Sequence, residues 1–556
     1  EDYTTPMTTE ELSIATSLPR RDVPGLRLVR NSSRFATNPP VIRERKDGGK
    51  PVCLGEGLDT GARTHQDYRL DLNQLVRHTL VAGTNGSGKT YTCKYLLSEV
   101  IREKVPFLVV EPAKDEYLEW ALEQNKLRDA RGEKRINIFA PGFFEIGSIA
   151  QNQEAEILAA YEAYESLNNA QKNLVSKRTL GKLETILKKL ANLTGTEPKS
   201  PAKPRPRTAE EKKIPYTPED KDIVRAVTIQ INDLCEIKDL YLNPYQPTVA
   251  DGTWINLMTH LDRFKSALLS SMPMADVLPL VMEEALYAHA DNQMSIRDHS
   301  LNGCVSVLED VYQDDGTVAY PLVEGLAKQA KQIIGTRKYA NDVNSNISAA
   351  VQTRVNALLL GWKKDLFNVV RSTNLAKVFE EDTVINLSHL TDDKDKALVM
   401  SVLLIALWEY RESKYNNDSA YKKQANANQL MHLTLIEEAH RLLPDVREDG
   451  VSGMNSQHNT AKMFSHMLSE IRAYGEGCIV VDQVPTRLIP DAVKNTNLKI
   501  IHRLTSADDI GAVSTSMRLR PDQEAVIGAL QPGEAIACSD FDDAAAWIKV
   551  GPVRNQ

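Results

Sequence analysis

Cysteine is scarce in this chain. Six occur in 556 residues, at positions 53, 93, 235, 304, 478 and 538. None forms a C-x-x-C pair and no histidine cluster accompanies them. Such scattered thiols read as small buried apolar residues in a reducing compartment, not as a metal site or disulfide framework. Long apolar runs are absent too. The longest candidate, Ala397 to Trp408 (ALVMSVLLIALW), falls short of the roughly 18–20 residues that cross a bilayer and reads as a buried helix. No signal peptide is visible, so the expectation is a cytoplasmic protein without a membrane segment. The first residue is Glu1, not Met, as expected of a terminus that is processed or begins further upstream. An excess of positive charge is also missing: 67 Lys and Arg stand against 75 Asp and Glu, a net charge of −8. That excludes a surface coated in positive charge. It does not exclude nucleic acid, because a ring can line a narrow channel with lysines while its exterior stays acidic.

What is present is a globular composition, 42% hydrophobic and 26% charged, in a chain too long for one simple core. The length predicts roughly three to four folding units, or one large core with insertions. One stretch organises the rest: HTLVAGTNGSGKTYTCKYLL, His78 to Leu97. It contains Gly83-Thr84-Asn85-Gly86-Ser87-Gly88-Lys89-Thr90, a full G-x-x-x-x-G-K-T, followed by Tyr91. A strand precedes it (Thr79 to Ala82) and a helix begins at the lysine, which is the context this motif requires. Glycines let successive N–H groups turn inward as an anion cradle, and the helix N-terminus adds partial positive charge. In such a loop Lys89 reaches the β- and γ-phosphates of ATP and the Thr90 hydroxyl ligates Mg²⁺.

A second centre lies about 350 residues further on. His432-Leu433-Thr434-Leu435-Ile436-Glu437-Glu438 reads as a buried strand ending in two acids. The first acid, Glu437, would hold the Mg²⁺ shell. The second, Glu438, would orient the attacking water. Parallel strands can be neighbours whatever their separation in sequence. A further strand, Gly477 to Gln483, delivers an amide to the same edge, where Gln483 can sense the γ-phosphate or orient water. The strand Lys499 to Leu504 carries Arg503, which reads either as a trans-acting finger or as a structural ion pair; Arg472 is its rival. Val105 to Pro112 is another buried strand, and its Glu111 either caps the next helix or lies, with Lys114, near the γ-phosphate or a neighbouring subunit.

The remaining pattern divides the chain as follows. Residues 1–50 are an N-terminal extended or β-rich segment. Residues 51–140 hold the first part of an α/β core with the phosphate loop, entered through short strands. Residues 141–375 are a largely helical insert, with Glu154 to Leu193 and Glu219 to Lys238 helical and Tyr241 to Tyr245 strand-and-turn. Its Pro- and Lys-rich stretch near 194–218 reads as an exposed, mobile linker. Residues 376–556 return to the core, with paired strands at Gly533–Cys538 and Ala545–Val550.

GTNGSGKT, VVEPAKDEY, LTLIEEAHRLLP and RAYGEGCIVVDQVPTRLIPDAVKNTNLKIIHRL together resemble the HerA-type ATPases of the HerA–FtsK group of P-loop motors. The likeness covers most of residues 50–553 and is most specific from Ile471 to Leu504. It implies a RecA-like core, a homo-oligomeric and usually hexameric ring, ATP sites at subunit boundaries, and translocation of double-stranded DNA for a partner nuclease. By motif it gives Lys89 and Thr90 the phosphate-loop roles, Glu437 and Glu438 the Walker B roles, Gln483 the sensor role and Arg503 the finger. The family also includes antiphage systems in which the ATPase assembles with a nuclease or a sirtuin-like, NAD-consuming effector. Two departures stand out: the small β-barrel that often opens family members is at best partial, and a lysine-rich helical stretch of about one hundred residues lies between Pro141 and Asn243. Three functions compete on this basis: a DNA motor, a nucleotide-gated scaffold for an effector enzyme, and a secretion- or conjugation-type ATPase.

Overall fold

The computed structural model describes Phe35 and residues 51–551, apart from 60–61, 144, 150–152, 215, 251–252, 272–277, 295–303, 307–319, 338–340, 370, 446–451, 541 and 543. The segment expected at 1–50 therefore lies, Phe35 excepted, outside the described residues. So does Met272-Pro273-Met274, where the sequence predicts a break between two helices.

The strands in chain order are β1 (Pro51–Asp59), β2 (Ala62–Asp71), β3 (Thr79–Ala82), β4 (Phe107–Glu111), β5 (Asn137–Phe139) and β6 (Ile237–Lys238). A separate two-stranded pair follows, β7 (Trp254–Asn256) and β8 (Cys304–Ser306). Then come β9 (Thr383–Asn386), β10 (His432–Ile436), β11 (Glu476–Asp482), β12 (Leu498–Ile501), β13 (Glu534–Cys538) and β14 (Ala546–Val550). Twelve of these form one sheet, in the order β2-β1-β14-β13-β12-β3-β11-β10-β4-β9-β5-β6. From β12 to β6 every pairing is parallel. From β12 outward to β2 every pairing is antiparallel. This is an α/β fold with a RecA-like P-loop core.

The strand sequences explain this division. The central strands TLVA, FLVVE and HLTLI are buried at every position, so they read as continuous apolar runs, as strands covered on both faces must. β14, AWIKV, alternates between buried and partly exposed, as an antiparallel strand with one wetter face does. On one face, Val81, Val109, Leu435 and Ile479 join a core completed by α1 (Lys89–Arg102) and α2 (Glu116–Arg131). On the other, Leu80, Val110, Ile436 and Val480 join a larger core.

The helical insert opens with α3 (Glu154–Ser166), α4 (Asn169–Leu174), α5 (Lys177–Thr194) and α6 (Pro218–Asp233). These enclose a small core of their own, built on Ile157, Tyr164, Leu183, Ile186, Val227 and Ile231. The stretch expected as helical from Glu154 to Leu193 is three successive helices. Asn168 and Ser176 take extended backbone and cap the helices that follow them; their short polar side chains satisfy orphan helical amides better from a cap than from a helix interior. The stretch expected as a mobile linker has no helix or strand across 196–207, but it is tied down. Ala202 N donates to Glu165 (2.7 Å), the Tyr164 hydroxyl donates to the Ala202 carbonyl (2.9 Å), and Arg205 N donates to Asn169 (3.0 Å). Residues 241–245, expected as strand and turn, form a turn at 244–245 but no strand; the chain pairs earlier, at β6.

Two more helix pairs, α7 (Leu257–Ser271) with α8 (Leu278–Met294) and α9 (Glu324–Thr336) with α10 (Asn341–Ala357), pack over the second face. So does the helix α11 (Asp393–Asn417), which contains the long apolar run and is buried almost all round. The last long helix, α12 (Ser452–Ile471), precedes β11.

Candidate active site

The glycine loop joins β3 to α1 and is pinned from three sides. Gly83 N donates to the Asp482 carbonyl at the end of β11 (3.3 Å), Thr84 N to the Arg503 carbonyl beyond β12 (2.8 Å), and Gly533 N to the Ser87 carbonyl (2.9 Å). Two glycines are needed for this seating. A Cβ on Gly83 would lie 2.6 Å from the His502 Cβ. Gly88 has φ +113° and a Cβ there would lie 2.9 Å from Gly533 N. α1 starts at Lys89, so the amides of its first turn lack intrahelical acceptors and point toward the loop's mouth.

His502 supports the loop from below. Its Nδ1 contacts the Glu534 carbonyl (2.7 Å) and its Nε2 contacts the Thr92 hydroxyl (2.9 Å). Burial pushes its pKa down to about 4, so it is neutral, with Nδ1–H donating and Nε2 accepting. Lys89 donates to the carbonyls of Gly83 (2.6 Å) and Thr84 (3.1 Å). Burial lowers its pKa, while Glu437 and Glu438 favour its charge.

β10 is separated from β3 by β11 alone, and its parallel run brings Glu437 and Glu438 to the loop's edge of the sheet. Both acids line one cleft with Asn85, Gly86, Gly88, Lys89, Thr90, Tyr91, Lys114 and Gln483. Glu437 accepts from the Tyr117 hydroxyl (2.7 Å). Desolvation pushes its pKa up to about 7; the Tyr117 bond and Lys89 pull the other way. Glu438 accepts from Gln483 Nε2 (2.6 Å). Its backbone is left-handed, φ +50°, which for a non-glycine residue costs about 1–3 kcal/mol and marks a site where surroundings override local preference.

Glu111 does cap a helix. Its carboxylate accepts from Tyr117 N (3.1 Å) and Leu118 N (3.2 Å) at the start of α2, and from Asn386 (3.0 Å). It also lines the cleft, and burial pushes its pKa up to about 7. Lys114 lines the cleft and pairs with Glu116 (3.0 Å). Burial opposes the charge on Glu116, yet hydrogen bonds with Thr90 and Lys114 hold its carboxyl below the usual range.

Of the predicted residues, the cleft gathers all but Gly83, Thr84, Ser87, Arg503 and Arg472. The first three shape the loop from behind. Arg503 offers it a backbone carbonyl, which also accepts from the Thr84 hydroxyl (3.1 Å). Arg472 precedes β11, and that strand's seven residues separate it from the cleft by roughly 20 Å. Sequence reasoning gave no role to Tyr117, His440, Asp482 or His502. Asp482 ends an apolar strand just as Glu437 does, so the same rule could have found it. A larger cleft, lined by Lys238, Tyr241, Arg371 and Lys377, contains none of the predicted residues.

Residues 52–252 match the family model described as Helicase HerA, central domain. Over that stretch the chain is similar to the HerA-type ATPases. Its curated relatives include the DNA double-strand break repair helicase HerA of Sulfolobus acidocaldarius, 29% identical over 184 residues, 33% of this chain and 33% of that protein. The protein of the same name from Pyrococcus furiosus is 27% identical over 205 residues, 33% of this chain and 35% of that one. The chain thus spans about a third of the length of these HerA relatives. Among solved structures, VirB4 of Thermoanaerobacter pseudethanolicus superposes with a TM-score of 0.51 at 13% identity, over 90% of this chain and 96% of that one. At that identity the likeness concerns the fold alone.

Among the described residues no helix is long and apolar enough to cross a membrane.

Proposed function

We propose that this protein is an ATP-hydrolysing motor that works as a ring, hexameric by resemblance, and moves double-stranded DNA. The observation that carries the reading is the shared cleft: Lys89 and Thr90 from one end of the chain line it together with Glu437, Glu438 and Gln483 from the other. The donor set fits Mg²⁺ and ATP. Among the described residues, Glu111, Glu116, Glu437 and Glu438 share the cleft with two lysines, so a divalent cation would offset the repulsion between these acids and a triphosphate. The donors are oxygens, as Mg²⁺ requires, and no group of three or more His, Cys, Asp or Glu is placed to hold a metal unaided among the described residues. That suits an ion held by one or two protein oxygens and by substrate phosphates.

Thr90 and Glu437 would hold the ion. When bound, it would supply positive charge that offsets the negative charge developing during phosphoryl transfer. The loop amides and Lys89 bind and orient the phosphates. Glu438, held by Gln483, accepts the proton of the attacking water. Chemistry of this kind is mostly positioning and electrostatics, which rigid strand ends supply.

Among the described residues no arginine lines the cleft. A site completed by an arginine from a neighbouring subunit accounts for that and supports the ring, with Arg503 or Arg472 as the donor. The experiment is steady-state ATP turnover with and without linear duplex DNA at low salt, where phosphate contacts are strongest, with Lys89→Ala as control. DNA should raise turnover several-fold. Turnover indifferent to DNA, with no DNA binding at low salt, overturns the motor.

A second reading is a nucleotide-gated scaffold for a partner nuclease or sirtuin-like effector. The independent core of the α3–α6 insert favours it, since such a unit can serve as a docking module. Loss of a co-purifying effector's activity on deleting the insert supports this reading; an effector equally active without this protein ends it.

A further inference from the structure

The acid turn after β10 and the glycine loop are joined through one residue of β11. Asp482, 1% exposed, uses three groups at once. Its carbonyl accepts from Gly83 N (3.3 Å). Its Oδ1 accepts from Val484 N (3.0 Å). Its Oδ2 accepts twice from His440, from the backbone N (2.9 Å) and from ring Nδ1 (2.9 Å). The same ring nitrogen stands 3.7 Å from Glu438 Oε2. The next residue, Gln483, holds Glu438 Oε1 at 2.6 Å. Within the turn, Arg441 N donates to the Glu438 carbonyl (3.0 Å).

These contacts answer a question raised by Glu438. A glutamate does not hold a left-handed backbone by its own preference. Something must fix the residues after it, and His440 is fixed at both its backbone and its ring by one buried carboxylate. Because Nδ1–H is committed to Asp482, the ring's orientation is set, much as an orienting carboxylate sets a histidine elsewhere.

We infer that Asp482 and His440 are positioning residues. They lock the turn that aims Glu438 into the cleft and tie its placement to the glycine loop through the Asp482 carbonyl. The inference rests on the hydrolytic reading of the cleft. It adds a prediction that reading does not make: loosening this pair should slow turnover and leave ATP binding alone, since Lys89, Thr90 and the loop amides are untouched. A side chain misplaced by about 1 Å can cost roughly 100-fold in rate.

The test uses the full chain with His440→Leu, His440→Asn and Asp482→Asn. Asparagine at 440 keeps an N–H close to the position of Nδ1; leucine does not. Asparagine at 482 keeps the shape but loses the charge and one acceptor. His440→Leu and Asp482→Asn should lower kcat roughly 10- to 100-fold with the ATP Kd within about threefold of wild type, and His440→Asn should recover most of the loss. In nucleotide-free protein, the His440 and Arg441 amides should exchange faster in His440→Leu and near the wild-type rate in His440→Asn. An unchanged kcat in His440→Leu, a loss that asparagine does not rescue, or a Kd rising in step with the fall in kcat overturns the proposal. If the wild type hydrolyses no ATP yet the exchange pattern appears, the positioning stands and the hydrolytic reading falls. If the exchange pattern is missing, the positioning falls whatever the turnover.

Discussion

His78 offers a quantitative test of the buried electrostatics beneath the site. It sits wholly inside the protein, 3% exposed, just before β3. Its Nδ1 accepts from Cys478 N (3.1 Å), so its Nε2 carries the proton and donates to the Leu468 carbonyl. Both nitrogens are satisfied only in the neutral ring. A second proton would have to enter at Nδ1, against an amide N–H. Burial accordingly pushes the pKa down to about 4. The sign follows. The unfolded chain binds this proton near pH 6.5 and the folded chain does not, so the stability it contributes is present above pH 6.5 and is lost as pH falls toward 4. Between pH 8 and pH 5 the loss is about 2 kcal/mol. Glu437 and Glu111 act in the opposite sense. With folded pKa values of about 7, each favours the folded state by about 2.5 kcal/mol more at pH 5 than at pH 8. The wild-type profile is therefore a sum of opposing terms, and only variants resolve it. In metal- and nucleotide-free buffer, urea unfolding followed by tryptophan fluorescence should show His78→Gln losing about 2 kcal/mol less than wild type between pH 8 and pH 5. Parallel pH dependences for the two proteins would refute the assignment of a neutral, doubly bonded ring.

Two further outcomes follow from the same structure. Tyr117→Phe removes the hydroxyl that donates to Glu437; the Glu437 pKa should rise further, and Mg²⁺-dependent ATP affinity at pH 7 should fall by about 1 kcal/mol, or roughly fivefold, by calorimetry. Arg411 is buried and bonds Glu476 (2.9 Å), Glu380 (2.9 Å) and the Phe379 carbonyl (2.6 Å); Arg411→Met strands the buried Glu476 charge and should cost about 3–5 kcal/mol in urea unfolding, with Glu476→Gln in the same chain recovering part of it.

The fold and the heart of the cleft were legible because they rest on local rules. A G-x-x-x-x-G-K-T between a strand and a helix has one usual geometry, and apolar runs ending in acids deliver them to the carboxyl edge of a parallel sheet. The strand order was less legible. That β11 alone stands between the loop strand and the acid strand comes from packing, not from any local signal. The contacts through Tyr117, Asp482 and His440 were invisible for the same reason: each joins residues distant in sequence or depends on an unusual backbone, as at Glu438. The stretch at 194–218 has a linker's composition, and nothing in that composition reveals that Glu165 and Asn169 hold it down.

The central claim is that the two ends of the chain build one hydrolytic site. The most direct measurement is ATP binding and ATP hydrolysis side by side in Glu438→Gln. The account predicts binding within a few-fold of wild type and turnover reduced at least about 100-fold. Hydrolysis at the wild-type rate in that variant would contradict it.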